Sequence, residues 1–192
     1  MMEVGLFFGS FNPIHTGHMI IANLVKETTN VKEVWFIVSP QNPFKKNKRL
    51  LHEFDRLDLV RAAIADDYDF KVSDIEFNMP KPNYTINTLT LLKEKYPDKN
   101  FHLIIGEDNL ESFPKWKNHD QILKHFSLIV YPRKNAKPNQ LIDHEKVVMI
   151  DAPEVDISAT LIRKLVKEKK SIKYLVPESV EALIKSKSFF AD

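Results

Sequence analysis

The chain has 192 residues, 28 Lys and Arg against 26 Asp and Glu, a net charge of +2 and no cysteine. So even a balance carries no signature of a nucleic-acid or membrane partner, and without thiols neither a disulfide framework nor a thiolate metal site can form. No apolar stretch approaches the roughly 20 residues that span a bilayer, and an N-terminus with Glu3 and no early basic residue makes a poor secretory signal, so a soluble cytoplasmic protein is expected.

A single domain over residues 1–192 is the expectation at this length. Residues 4–8 read as a buried strand, and a helix follows from Thr16 or Gly17 to Thr28 with Ile20 and Leu24 on its apolar face. Residues 34–38, aromatic and β-branched, form a second strand. Residues 39–49 are a polar loop holding Pro40, Pro43 and the basic run Lys45, Lys46, Lys48 and Arg49. Helical spacing of Phe54, Leu57, Val60, Ala63 and Ile64 predicts a helix over 52–65, and residues 70–72 suit a short third strand. Pro80 and Pro82 keep 78–83 out of any helix. A helix over 85–96 stops at Pro97, and the strand 101–105 ends at Gly106. A short helix over 119–125, strands at 128–131 and 147–150, and helices at 158–169 and 177–185 complete the chain.

Strands alternate with helices from end to end. That pattern predicts an α/β fold, a Rossmann-like doubly wound parallel sheet with helices on both faces. Ligands of such sheets bind outside the carboxyl ends of the strands. Segments 9–18, 39–48 and 106–108 then open onto one rim.

The first of these segments is the most informative. Gly9-Ser10-Phe11-Asn12-Pro13-Ile14-His15-Thr16-Gly17-His18 turns from a strand into a helix. Such a turn offers backbone N–H groups to an anion at the helix N-terminus, and His15 and His18, three residues apart, aim at one point. Only four glycines occur, and Gly9 and Gly17 both fall here, so a positive φ or close backbone approach is expected. The segment contains neither the G-x-G-x-x-G fingerprint nor a Walker A loop.

This stretch resembles the H-x-G-H signature of the nucleotidyltransferase superfamily, in the form G-S-F-[DN]-P-[IV]-H-x-G-H. Four further blocks, in order, resemble bacterial nicotinate-mononucleotide adenylyltransferases. Asn83-Tyr84-Thr85-Ile86-Asn87-Thr88-Leu89 is similar to their [SN]-Y-T-x-x-T-L segment. Ile104-Ile105-Gly106-Glu107-Asp108-Asn109-Leu110 with Phe113-Pro114-Lys115-Trp116 resembles I-I-G-x-D-x-L…[FL]-P-x-W. Ile157-Ser158-Ala159-Thr160-Leu161-Ile162-Arg163 resembles I-S-[SA]-[ST]-x-[IL]-R, and Leu175-Val176-Pro177-Glu178 resembles L-[LV]-P-E. One departure stands out: Phe44 occupies the histidine position of the P-P-H-K loop.

The resemblance implies transfer of AMP from ATP to nicotinate mononucleotide, giving deamido-NAD and pyrophosphate. The implied cofactor is Mg²⁺ carried by ATP, with no metal ligand from protein side chains. It places His18 on the α-phosphate, His15 on neighbouring oxygens and Arg163 on the β- and γ-phosphates. Gly9, Ser10, Phe11, Gly17, Gly106, Asp108, Arg133, Ile157, Ser158 and Thr160 fall on the ATP side. Pro40, Lys45, Tyr84, Thr85 and Trp116 fall on the pyridine-nucleotide side, with Trp116 stacking on the ring and Tyr84 and Thr85 meeting the carboxylate. Asp108 would accept from ribose hydroxyls.

The bare residues allow plainer readings: a histidine pair capping a helix, Ser158 as an ordinary cap, Thr85 as a cap and Trp116 as a core side chain. The functional alternatives are a nicotinamide-mononucleotide or dual-specificity enzyme, a phosphopantetheine adenylyltransferase, and a nucleotide-binding sensor without chemistry. Expected partners are ATP and the mononucleotide, with no nucleic acid and no membrane. A homo-oligomer is left open.

Overall fold

The structure, a computed structural model, describes residues 1–40, 50–134, 136–137 and 139–191. In chain order the elements are β1 (Met2–Gly9), α1 (Thr16–Thr28), β2 (Glu33–Val38), α2 (Glu53–Ala63), β3 (Phe70–Ser73), α3 (Thr85–Lys95), β4 (Lys99–Gly106), α4 (Glu107–Ser112), a 3₁₀ turn (Phe113–Lys115), α5 (His119–His125), β5 (Ser127–Tyr131), a second 3₁₀ turn (Gln140–Asp143), β6 (Val147–Met149), α6 (Ala159–Lys167) and α7 (Glu178–Ser186). The strands form one sheet in the order β3-β2-β1-β4-β5-β6, and every pairing is parallel.

The continuous apolar runs serve two cores at once, because successive side chains leave opposite faces of the sheet. Val4 and Leu6 of β1, Trp35 and Ile37 of β2, and Leu103 and Ile105 of β4 enter one core, with Leu89, Leu92, Leu110 and Ile122 from α3, α4 and α5. Phe7, Phe36, Val38 and Ile104 enter the other, with Ile21 and Val25 of α1, Leu57 and Val60 of α2, Ile162 of α6 and Ile184 of α7. Each such side chain contributes about 1.5–3 kcal/mol by leaving water. The expected fold class is therefore the one observed.

The strand order reverses between β1 and β4, where Phe7 lies in register with Ile104. Connections leave this pair in opposite directions, so a crevice opens beyond Gly9 and Gly106. This is the switch point where open α/β sheets bind ligands.

Some local expectations shift. The buried face of α1 is centred on Ile21, Ala22 and Val25, with Ile20 and Leu24 only partly covered. In α2 the aromatic Phe54 is 55% exposed, whereas Arg56 is fully buried beside Leu57, Leu59 and Val60. Residues after Gly106 continue directly into α4 and a 3₁₀ turn. Phe44 and Lys45 lie outside the described residues.

Candidate active site

The turn after β1 is built on a ring of aromatic contacts. Phe11 is buried, with its ring centroid 5.6 Å from Phe36, 6.1 Å from Phe7 and 5.1 Å from His18. It is Phe11, at φ 45°, that takes the left-handed conformation; no described glycine has positive φ. The glycines are required by crowding instead. A Cβ on Gly9 would lie 2.8 Å from the Phe11 ring, and one on Gly17 would lie 3.1 Å from His15 Nδ1 and 3.3 Å from Val155 Cγ1. Phe11 thus anchors the turn in the core, and its ring lines neither cavity described below.

His15 is the N-cap residue of α1, and its ring stacks on that of His18 at 3.7 Å and 28°. The main-chain N–H of His15 donates to His18 Nδ1 at 3.2 Å. An imidazole whose Nδ1 accepts a hydrogen bond while neutral carries its hydrogen on Nε2. The capping role and the phosphate role are therefore compatible, since one nitrogen holds the turn and the other remains a donor. Nδ1 of His15 is buried with no hydrogen-bond partner among the described residues. Burial, reinforced by the Arg133 charge, pushes His15 down to about 4. Burial, then the charges of His15 and Arg133, holds His18 well below the usual imidazole range. Both rings are neutral at pH 7. With Gly17, Arg133 and Ile157 they line a small cavity of about 30 Å³.

A second helix terminus meets the same turn. Ser158 caps α6 by accepting from Leu161 N–H at 3.2 Å. Arg163 Nη1 donates to the carbonyl of Asn12 at 2.8 Å, and Nη2 donates to Thr160 Oγ1 at 3.1 Å. The closing motif is thus brought against the opening one across the chain. Thr160 orients the arginine, and Ser158, Thr160 and Arg163 flank the two cavities without lining them.

Beyond the switch point lies a larger cavity of about 590 Å³, lined among others by Gly9, Ser10, Tyr84, Thr85, Gly106, Asp108, Trp116 and Arg133. Tyr84 is the N-cap of α3 and Thr85 its first residue, so Thr85 is no cap; no side chain closes this helix end. Lys117 Nζ sits 4.3 Å above the Tyr84 ring. Trp116 is half-buried, packed on Phe113 at 5.3 Å between ring centroids and otherwise facing the cavity. Arg133 lines both cavities, with Nε 3.8 Å from Asp108 Oδ1. Pro40 is buried, and its carbonyl accepts from Arg56 at 3.1 Å.

Some wall residues were not among the predicted site residues. Ser39, Glu76 and Asn83 line the large cavity. Glu76 is buried and accepts from Thr88 Oγ1 at 2.7 Å; burial raises its carboxyl above the usual range. Asn83 Nδ2 donates to the Glu76 carbonyl at 3.1 Å. The sequence signal was available in part, because Asn83 opens a block quoted above. Glu76 carries no such mark. Among the described residues no group of three or more His, Cys, Asp or Glu could hold a metal ion.

Paired neutral imidazoles at a β1–α1 turn, an arginine on a second helix and a cavity across the switch point define a nucleotidyltransferase site. The family model described as cytidylyltransferase-like matches residues 6–165. A protein of Cytophaga hutchinsonii is 59% identical over 191 residues, covering 100% of both chains, and one of Flavobacterium psychrophilum is 49% identical, covering 98% of this chain and 99% of its own; both carry the name "Probable nicotinate-nucleotide adenylyltransferase". The chain belongs to the cytidylyltransferase-like family and, within it, to the nicotinate-nucleotide adenylyltransferases. A Plasmodium falciparum nicotinic acid mononucleotide adenylyltransferase, solved with NaAD, shares the fold at TM-score 0.81 and 17% identity, over 99% of this chain and 98% of that one. The same parasite protein solved with APC matches at TM-score 0.80.

Proposed function

We propose that this enzyme transfers AMP from ATP to nicotinate mononucleotide, forming deamido-NAD and pyrophosphate. A 5′-phosphate oxygen of the mononucleotide attacks the α-phosphorus. The bond from that phosphorus to the oxygen bridging to the β-phosphate breaks, and pyrophosphate leaves. The attacking oxygen is already anionic at neutral pH, so neither a general base nor an enzyme nucleophile is needed. Catalysis is positioning plus stabilisation of charge on the α-phosphoryl group and the leaving pyrophosphate.

His18, held by its Nδ1, offers Nε2–H to the α-phosphoryl oxygens. His15 and Arg133 support neighbouring oxygens, and Arg163 forks onto the outer phosphates. Divalent metal enters with the triphosphate as part of the substrate. Two imidazoles with no third His, Cys, Asp or Glu grouped with them among the described residues do not complete a metal site, and the arginines beside them suit phosphate oxygens. On the other side Trp116 offers a flat face to the pyridine ring. The open N-terminus of α3 at Tyr84 and Thr85 suits its carboxylate.

One observation carries the reading. Arg133 lines both the cavity of the paired imidazoles and the cavity of Tyr84 and Trp116, so a phosphate site and a site for a flat ring adjoin at one arginine. The test is pyrophosphate release with MgATP and a panel of nicotinate mononucleotide, nicotinamide mononucleotide and phosphopantetheine. Turnover favouring the first is expected. Preference for the carboxamide or for phosphopantetheine would replace the substrate, and no release with any would leave a binding protein.

A further inference from the structure

Arg56 is fully buried and feels the carboxylate charge of Glu53, one turn away on α2. Its partners are main-chain carbonyls. Nε donates to Leu51 at 3.0 Å, Nη1 donates to Ser10 at 2.6 Å and Ser39 at 2.8 Å, and Nη2 donates to Pro40 at 3.1 Å. These four carbonyls come from the turn after β1, from the exit of β2 and from the lead into α2. They are acceptors that neither sheet nor helix serves, and left unpaired each would oppose burial. One planar fork with five N–H groups satisfies all four.

The clamp continues. Leu51 N–H donates to Asn12 Oδ1 at 3.1 Å, and the Asn12 carbonyl receives Arg163 at 2.8 Å. Ser10 and Ser39, whose carbonyls Arg56 holds, both line the large cavity, each just past the end of a different strand. Burying a guanidinium is costly, and an apolar side chain would fill the same volume with less desolvation. What it could not do is bring three chain segments to one point.

We propose, resting on the function proposed above, that Arg56 is the positioning residue of the mononucleotide subsite. It sets the β1–α1 turn and the exit of β2 as one wall, so that the mononucleotide meets the phosphate turn in the geometry the transfer needs. The guanidinium touches no substrate, since it is sealed from solvent and four of its five N–H groups are held by main-chain carbonyls. Its effect passes through Ser10 and Ser39.

The test uses the full chain with Arg56→Lys and Arg56→Gln. Lysine keeps the charge but reaches carbonyls from a single nitrogen. Glutamine removes the buried charge and keeps two N–H donors, so it remains foldable if lysine does not. Steady-state KM for each substrate, kcat, circular dichroism and Tm are measured beside the wild type. The expected result is a KM for the mononucleotide raised about tenfold or more, and by a clearly larger factor than the KM for ATP, whose turn Arg56 holds through the Ser10 carbonyl alone, with the folded spectrum retained. A fall in Tm with both KM values unchanged, or an equal rise in both, would overturn the proposal by reducing Arg56 to a general brace. A wild type that releases no pyrophosphate would instead overturn the function on which the proposal rests.

Discussion

Acid should destabilise this protein through His15 in a calculable way. The side chain is only 8% exposed, and burial beside Arg133 holds it at about 4 against an ordinary 6.5. As the pH falls below 6.5, the unfolded chain takes a proton that the folded state refuses. Stability therefore declines between 6.5 and about 4 and levels off below. The full loss is about 3 kcal/mol at 1.36 kcal/mol per pH unit. At pH 5.5 the same relation gives about 1.4 kcal/mol, or roughly 3–6 °C in Tm for a chain of this size. His15→Gln has no such proton to take up. Its Tm should fall less than that of the wild type between pH 7.5 and 5.5, by that 3–6 °C. The offset between the two proteins at pH 7.5 cancels in the comparison. Saturating MgATP should shrink the wild-type loss, because phosphate charges favour the imidazolium. Identical acid dependence in both proteins would refute the burial assigned to this ring.

His18→Ala should lower kcat by about 10²–10³, the usual worth of one preorganised donor, with the circular dichroism spectrum unchanged; near-normal turnover would remove His18 from the chemistry. Gly17→Ala gains up to about 1 kcal/mol of helix propensity but sets a methyl 3.1 Å from the His15 ring. Its Tm should stay within a few degrees of wild type while kcat falls about tenfold, and unchanged kcat would show that the ring tolerates the shift. Nicotinate mononucleotide should quench tryptophan fluorescence through Trp116, because Trp35, the other tryptophan, is buried. Quenching that survives in Trp116→Phe would exclude stacking there.

The sheet was legible because parallel strands covered on both faces must be apolar throughout, and runs such as 101–105 have no other economical use. The rim was legible for the same reason, since it follows from where those runs stop. Motif spacing located His15, His18, Tyr84 and Trp116, and the structure brings each to a cavity. For Phe11 and Pro40 the motif marks positions without saying whether side chain or main chain matters; the structure shows Phe11 packed in the core and the Pro40 carbonyl held by Arg56. Arg56 was hidden by residue type: in a helical pattern a charged residue reads as solvent-facing, and only the three converging carbonyl segments reveal why it is buried. Glu76 was hidden likewise, its partner Thr88 lying twelve residues on in another element.

The central claim is that triphosphate oxygens settle at the turn from β1 into α1, against the stacked imidazoles. A crystal structure of the enzyme with a non-hydrolysable ATP analogue tests it directly. A phosphate oxygen within about 3 Å of His18 Nε2 is the expected result. A triphosphate lodged away from this turn, or imidazoles facing only protein atoms in the complex, would contradict it.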